Sequence, residues 1–104
     1  MHHHPYPLDE AIKLNPKSAI AFNNRGLAWR KKGDMQRAIA DYTQAIAINP
    51  IYANAYANRG YANETTGRKT EAIMDLRYAI QIDPSLAEAR RALQRLGTTE
   101  PAVS

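Results

Sequence analysis

Cysteine is absent from the chain, which excludes disulfides, thiolate nucleophiles and the usual cysteine-ligated zinc, and leaves the compartment open. Histidine is almost as scarce. His2, His3 and His4 are the whole complement, beside Met1, where they look like the remains of an affinity tag rather than a native metal-binding terminus. No apolar run approaches the roughly 20 residues that span a bilayer, and the amino terminus lacks a hydrophobic signal core. None of the five glycines clusters into a phosphate-binding loop. With no histidine outside the tag and no serine beside a base, the roles of a catalytic site stay unfilled. No enzyme, cofactor or metal is expected.

A chain of 104 residues holds one small domain with no room for a separate catalytic one, and 44% hydrophobic content suffices for a compact core. Lys and Arg number 14 against 10 Asp and Glu, so the net charge of +4 mildly favours acidic partners. Much of that excess is arginine near the C-terminus.

What is present is a repeat. Ala19 to Pro50, AIAFNNRGLAWRKKGDMQRAIADYTQAIAINP, returns 34 positions later as ANAYANRGYANETTGRKTEAIMDLRYAIQIDP, Ala53 to Pro84. Asn24-Arg25-Gly26 falls on Asn58-Arg59-Gly60, Gly33 on Gly67, Ala38-Ile39 on Ala72-Ile73, Asp41 on Asp75 and Pro50 on Pro84. A fixed period in the thirties, without strand-like alternation and with a mid-unit glycine, predicts stacked helical hairpins.

The unit resembles the tetratricopeptide repeat, which carries an aromatic, Leu-Gly, an aromatic, Ala, an aromatic and a closing Pro at set spacings. Phe22, Arg25-Gly26, Trp29, Ala38, Tyr42 and Pro50 hold these places in the first unit. Tyr56, Arg59-Gly60, Asn63, Ala72, Leu76 and Pro84 hold them in the second. The resemblance, which runs from Leu8 to Leu96, implies an all-α fold: an α-solenoid of antiparallel helical hairpins, about two and a half repeats, counted as five helices.

In repeat register, Ala11, Ile12, Leu14 and Pro16 match Ala45, Ile46, Ile48 and Pro50, so residues 8–16 read as the second helix of a repeat whose first helix is missing. Residues 1–7 are the tag and lead-in, 17–50 and 51–84 the two full repeats, 85–97 a capping helix and 98–104 a disordered tail. Within the repeats, Ser18 caps a helix to about Lys32, Gly33 supplies the left-handed turn, and Asp34 caps the next helix to about Ile48. Arg68 stands in Asp34's place before the equivalent helix, which loses that cap. Ser85 and Glu88 have capping-box spacing at the start of the last helix. There Arg90 and Gln94 occupy the places of Phe22 and Gly26, a solvated face with no partner helix to meet. The first helix should expose an uncovered apolar face, and self-association through that end is an alternative role.

Gly26 and Gly60 sit mid-helix at a cost of about 1 kcal/mol each relative to alanine. Each precedes a small residue, Ala38 or Ala72, on the returning helix, which suggests close backbone approach. Arg25 and Arg59 replace the family's leucine and precede Asp41 and Asp75 by 16 residues each. Ion pairs are expected, within a unit or between Asp41 and Arg59 of neighbours.

The resemblance also implies that the first helix of each hairpin lines a concave groove. Helical periodicity then places Ile20, Asn23, Asn24, Leu27, Arg30 and Lys31 of one unit, with Asn54, Ala57, Asn58, Tyr61, Glu64 and Thr65 of the next, on that surface. Arg91 and Arg95 extend it into the last helix, with Glu88. Asn24 and Asn58, equivalent by the repeat, suit the donors and acceptors of an extended peptide backbone. Chaperone-binding members hold a C-terminal carboxylate with two lysines, two asparagines and an arginine. Only Asn58 fits that clamp here, since Asn23, Leu27, Glu88 and Ala92 hold the other places. The expected function is a protein-interaction scaffold that binds an extended, acidic peptide segment. A structural self-assembly module is the alternative, RNA binding stands behind both, and no membrane partner is expected.

Overall fold

The structure is a computed structural model that describes residues 7–97. The tag, most of the lead-in and the tail expected to be disordered lie outside the described residues. Helices run α1 (Pro7–Leu14), α2 (Ala19–Lys31), α3 (Met35–Ile48), α4 (Ala53–Thr65), α5 (Lys69–Ile82) and α6 (Ala87–Arg95). The expected count of five is one short among these residues, because the single helices at the two ends flank two complete hairpins. Each helix packs on its chain neighbour and α2 also touches α4, in a body 57 Å long and 24 Å across. That is the proportion of a stack, not of a bundle closed on itself.

Local chemistry sets the helix ends. The Ser18 hydroxyl accepts from the Ala21 N–H at 3.1 Å, and the Asp34 carboxylate accepts from the Arg37 N–H at 3.1 Å. Arg68 provides no such bond to α5. At the hairpin turns, Gly33 and Gly67 adopt φ of 88° and 81°. Around Gly33, the Asp34 N–H reaches the Trp29 carbonyl and the Gly33 N–H the Arg30 carbonyl, both at 2.9 Å. This paired closure satisfies carbonyls that the helix end would strand, and Gly67 repeats it.

Between hairpins a second device recurs with the same period. Asn15, Asn49 and Asp83 each precede a proline and accept from the N–H two residues on, at 3.3, 3.2 and 3.0 Å. Asp83 also takes the Ser85 hydroxyl at 2.6 Å. The expected capping box at Ser85 is therefore not formed: that hydroxyl belongs to the turn, and α6 begins at Ala87 with no side-chain cap.

The core follows the small residues of the repeat. Ala38, Tyr42 and Ala62 form one buried cluster; Leu76, Ala79, Ala89, Ala92 and Leu93 anchor the other. Tyr42 and Leu76 are fully enclosed, whereas Phe22, Trp29 and Tyr56 are only half-buried. The glycines face these two large side chains. A Cβ on Gly26 would lie 2.5 Å from the Tyr42 ring, and one on Gly60 2.9 Å from Leu76 Cγ and 3.3 Å from the Ala72 carbonyl. The nearest obstacle at Gly26 is thus the aromatic ring laid on the helix, and at Gly60 the alanine backbone stands beside Leu76.

Gly26→Ala should lower stability by up to about 2 kcal/mol in urea unfolding, the difference between overpacking of about 1–3 kcal/mol and about 1 kcal/mol of gained helix propensity. Gly60→Ala should be destabilising as well, since a Cβ there would meet both the enclosed Leu76 and the Ala72 backbone carbonyl. A neutral Gly26→Ala would show that the ring has room to move.

Candidate functional site

Two interactions put the first helices of successive units side by side. One is the direct contact of α2 with α4. The other is a two-toothed bridge from α6 to α4, in which Arg95 Nε and Nη2 donate to Glu64 at 3.0 and 2.9 Å. These three helices adjoin one another, and the residues expected to line a groove divide into two sorts.

Asn24, Lys31, Asn54, Arg91 and Arg95 are exposed, while Leu27, Arg30, Asn58 and Tyr61 are half-buried. Asn23 is not on the open surface. It is 5% exposed and its side-chain oxygen accepts from Asn58 Nδ2 at 3.0 Å. Ala57 is likewise buried, packed in the core cluster of α5 and α6. Helical periodicity placed both on the exposed face because it treats a helix as isolated. In the stack, the neighbouring unit covers the flank on which they lie. The Asn23–Asn58 bond takes one of the Asn58 donors and leaves its carbonyl oxygen and second N–H to other partners.

Tyr61 is the centre of the charged end. The Arg30 guanidinium lies 5.6 Å from its ring centroid, a cation–π contact between α2 and α4. Burial, and then the negative charge of Glu88, push its phenol up, while Arg30, Arg95 and Arg91 pull it down. The net shift is upward, so the hydroxyl keeps its proton at neutral pH and remains a donor. Arg95 holds the Glu64 carboxyl below its ordinary range.

Behind this surface the two arginines of the repeat lock the helices. Arg25 Nε and Nη2 both reach the Asp41 carboxylate at 2.8 Å, and Arg59 reaches Asp75 at 2.9 and 2.8 Å. The pairing is within each unit. Both aspartates are 5% exposed. Each arginine also reaches back 16 residues: Arg25 Nη1 to Asp9 at 2.9 Å, Arg59 Nη1 to the Thr43 hydroxyl at 3.2 Å. Asp41 is the chief cause of the raised Arg25 guanidinium and Asp75 of the raised Arg59 one, and both forks are engaged within the stack. Asn63, standing in the place of Trp29, is buried and donates to Asp75 at 3.1 Å. Sequence spacing of 16 in the other direction was the available signal for Asp9 and Thr43. The Glu64–Arg95 and Asn23–Asn58 links left no such signal, because they join different positions of the unit.

Among the described residues no group of three His, Cys, Asp or Glu side chains could hold a metal ion, and no helix is long and apolar enough to cross a membrane.

Two family models described as tetratricopeptide repeat match residues 19–52 and 36–87. No curated protein matches the sequence. Among solved structures, the Arabidopsis OM64 TPR domain is similar with 37% identity and a TM-score of 0.84 over 86% of this chain and 74% of that one. The first TPR of Spaghetti (RPAP3) bound to the HSP90 peptide SRMEEVD shows 25% identity and a TM-score of 0.83, over 86% of this chain and 71% of that one. The second TPR domain of human RPAP3 in complex with the HSP70 peptide SGPTIEEVD shows 27% identity and 0.81, over 88% and 77%.

Asp75→Ala should destabilise more than Asp41→Ala in urea unfolding, by about 1–3 kcal/mol after allowance for the partly exposed arginines. It leaves Arg59 with a hydroxyl and orphans the Asn63 amide, whereas Arg25 keeps Asp9. Equal losses would refute that asymmetry. For the exposed Glu64–Arg95 bridge the effect is smaller, about 1 kcal/mol or less. Its sign follows from the lowered Glu64 carboxyl: the stability gap between wild type and Glu64→Gln should be present above about pH 4.3 and close as the pH falls through the folded value.

Proposed function

Since the chain belongs to the tetratricopeptide repeat family, we propose that it is a protein-interaction scaffold whose inner surface binds an extended, acidic segment of another protein. The observation that carries this reading is the division of labour between the helices. α3 and α5 commit Tyr42, Asp41, Leu76 and Asp75 to the core and its ion pairs. α2, α4 and α6 keep Asn24, Asn54, Lys31 and Arg91 in the open and Asn58 half-open. Such a surface offers backbone-matching amides and a surplus of positive charge, and the ion-paired hairpins behind it hold it in shape before any partner arrives.

The peptides held by the two RPAP3 domains support a peptide ligand as a class. They do not transfer as such. In this chain two of the clamp places are occupied by Asn23, engaged with Asn58, and by the fully buried Ala92, and a third by the acidic Glu88. A grip on a chaperone's terminal carboxylate is therefore disfavoured, and no catalytic step is part of the reading.

A second reading has its own observation: Leu14 and Ile20, at the α1 end, are 80% and 64% exposed. End-to-end association through them would appear in sedimentation as a mass that rises with concentration and is reset by Leu14→Glu.

The groove reading predicts that Asn24→Ala combined with Asn58→Ala, at unchanged helical content, abolishes most peptide capture from an extract by the tag-free protein. Identical capture by wild type and variant, with partners identified by mass spectrometry, would move the interaction to another face.

A further inference from the structure

The groove does not carry its charge evenly. At the α6 end, Arg95 is committed to Glu64. Arg30 and Arg91 have no acidic partner within ion-pair distance among the described residues. Arg30 lies over the Tyr61 ring from α2, and the Arg95–Glu64 bridge sets the turn of α6 that carries Arg91 beside the turn of α4 that carries Tyr61, with the acidic Glu88 also acting on the phenol. Arg30 is also partly desolvated: one side of its guanidinium meets the Tyr61 ring, and it lies close enough to the buried Tyr42 hydroxyl to oppose, by charge and hydrogen bonding, the upward push of burial on that phenol. A guanidinium whose water is already partly stripped loses less on meeting an anion. The local charge then decides how much anion fits. Three arginines stand against two acids, Glu64 and Glu88, an excess of one positive charge that matches one carboxylate better than a dianionic phosphoryl group.

We propose that Arg30, Arg91 and the Tyr61 hydroxyl form a seat for a single carboxylate side chain, an Asp or Glu within the extended partner segment. Tyr61 lies one helical turn beyond Asn58 on α4, so the seat adjoins the amide that would hold the backbone. The selected feature is an internal acidic residue, and a free chain end is not required. This proposal rests on the peptide-groove reading and fixes the side chain that such a groove selects.

The test uses an array of N-acetylated, C-amidated decapeptides with mixed sequence around a central Glu, Gln or phosphoserine, and Gln-centred peptides with a free C-terminal carboxylate. Wild type, Arg91→Gln, Arg30→Gln with Arg91→Gln, and Asn24→Ala with Asn58→Ala are compared at matched helical content. Glu peptides should bind wild type about five- to tenfold better than Gln peptides, as a charge-assisted contact in a half-open site requires. That preference should shrink with Arg91→Gln alone and with added salt, and vanish in the double arginine variant while Gln-peptide binding stays level. Arg91 is exposed, so its variant reads the seat even where losing Arg30 loosens α2 against α4. Equal binding of Glu and Gln peptides, or a Glu preference that survives both arginine variants, overturns the seat and leaves the groove standing. A stronger preference for phosphoserine or for the free C-terminus overturns the assignment to a carboxylate side chain. Failure of the folded wild type to bind any peptide overturns the groove and the seat together.

Discussion

The fold depends on a half-buried arginine in each first helix that ties its hairpin together. Arg25 joins three helices, with Asp41 on α3 and Asp9 on α1 at 2.8 and 2.9 Å. A leucine at this place would hold the helices by area alone and tolerate sliding. A guanidinium fork set on a carboxylate fixes both the rotation and the register of the two helices. The gain is in geometry more than in net free energy, because desolvation offsets most of the Coulomb attraction. Register in turn decides which first-helix residues face inward. The ion pairs therefore lie upstream of the groove, although no groove residue takes part in them.

The second unit shows how the repeat tolerates substitution when a donor is replaced by another donor. Its reverse contact is weaker, since Thr43 stands where Asp9 stood, but Asn63 adds an amide to Asp75 in a place where the first unit has Trp29. Trp29 is covered instead by Arg37, 4.7 Å from its ring. The two hairpins thus share a backbone plan and differ in how each satisfies its polar interior. In a stack whose units touch only their neighbours, such differences stay local.

How much of this is legible in the sequence follows from what periodicity can see. Features that recur at the period were readable: the helix stops at Gly33 and Gly67, the caps at Ser18 and Asp34, and the acid 16 residues after each arginine. Two kinds of feature were not. Contacts between different positions of neighbouring units, such as Asn58 with Asn23 and Glu64 with Arg95, have no repeated spacing to betray them. Competition for one side chain is also invisible: Ser85 has the spacing of a capping box, yet Asp83 captures its hydroxyl two residues away. Asn23 and Ala57 fall under the first limit, since an isolated helix leaves them open while the stack covers them.

The same limit explains why a charged seat would lie at the junction of units. Within one hairpin, positions are repeated, so a cation placed there recurs and its partner recurs with it, as Asp41 and Asp75 do. Across the junction of α2, α4 and α6 the residues come from different positions and escape that pairing. Arg30 and Arg91 keep their charge there while Arg95 is neutralised by Glu64. A recognition surface built this way can vary its charge from unit to unit without disturbing the ion pairs that hold the hairpins. Specificity is free to change on the inner face because stability is secured on the other side of the same helices.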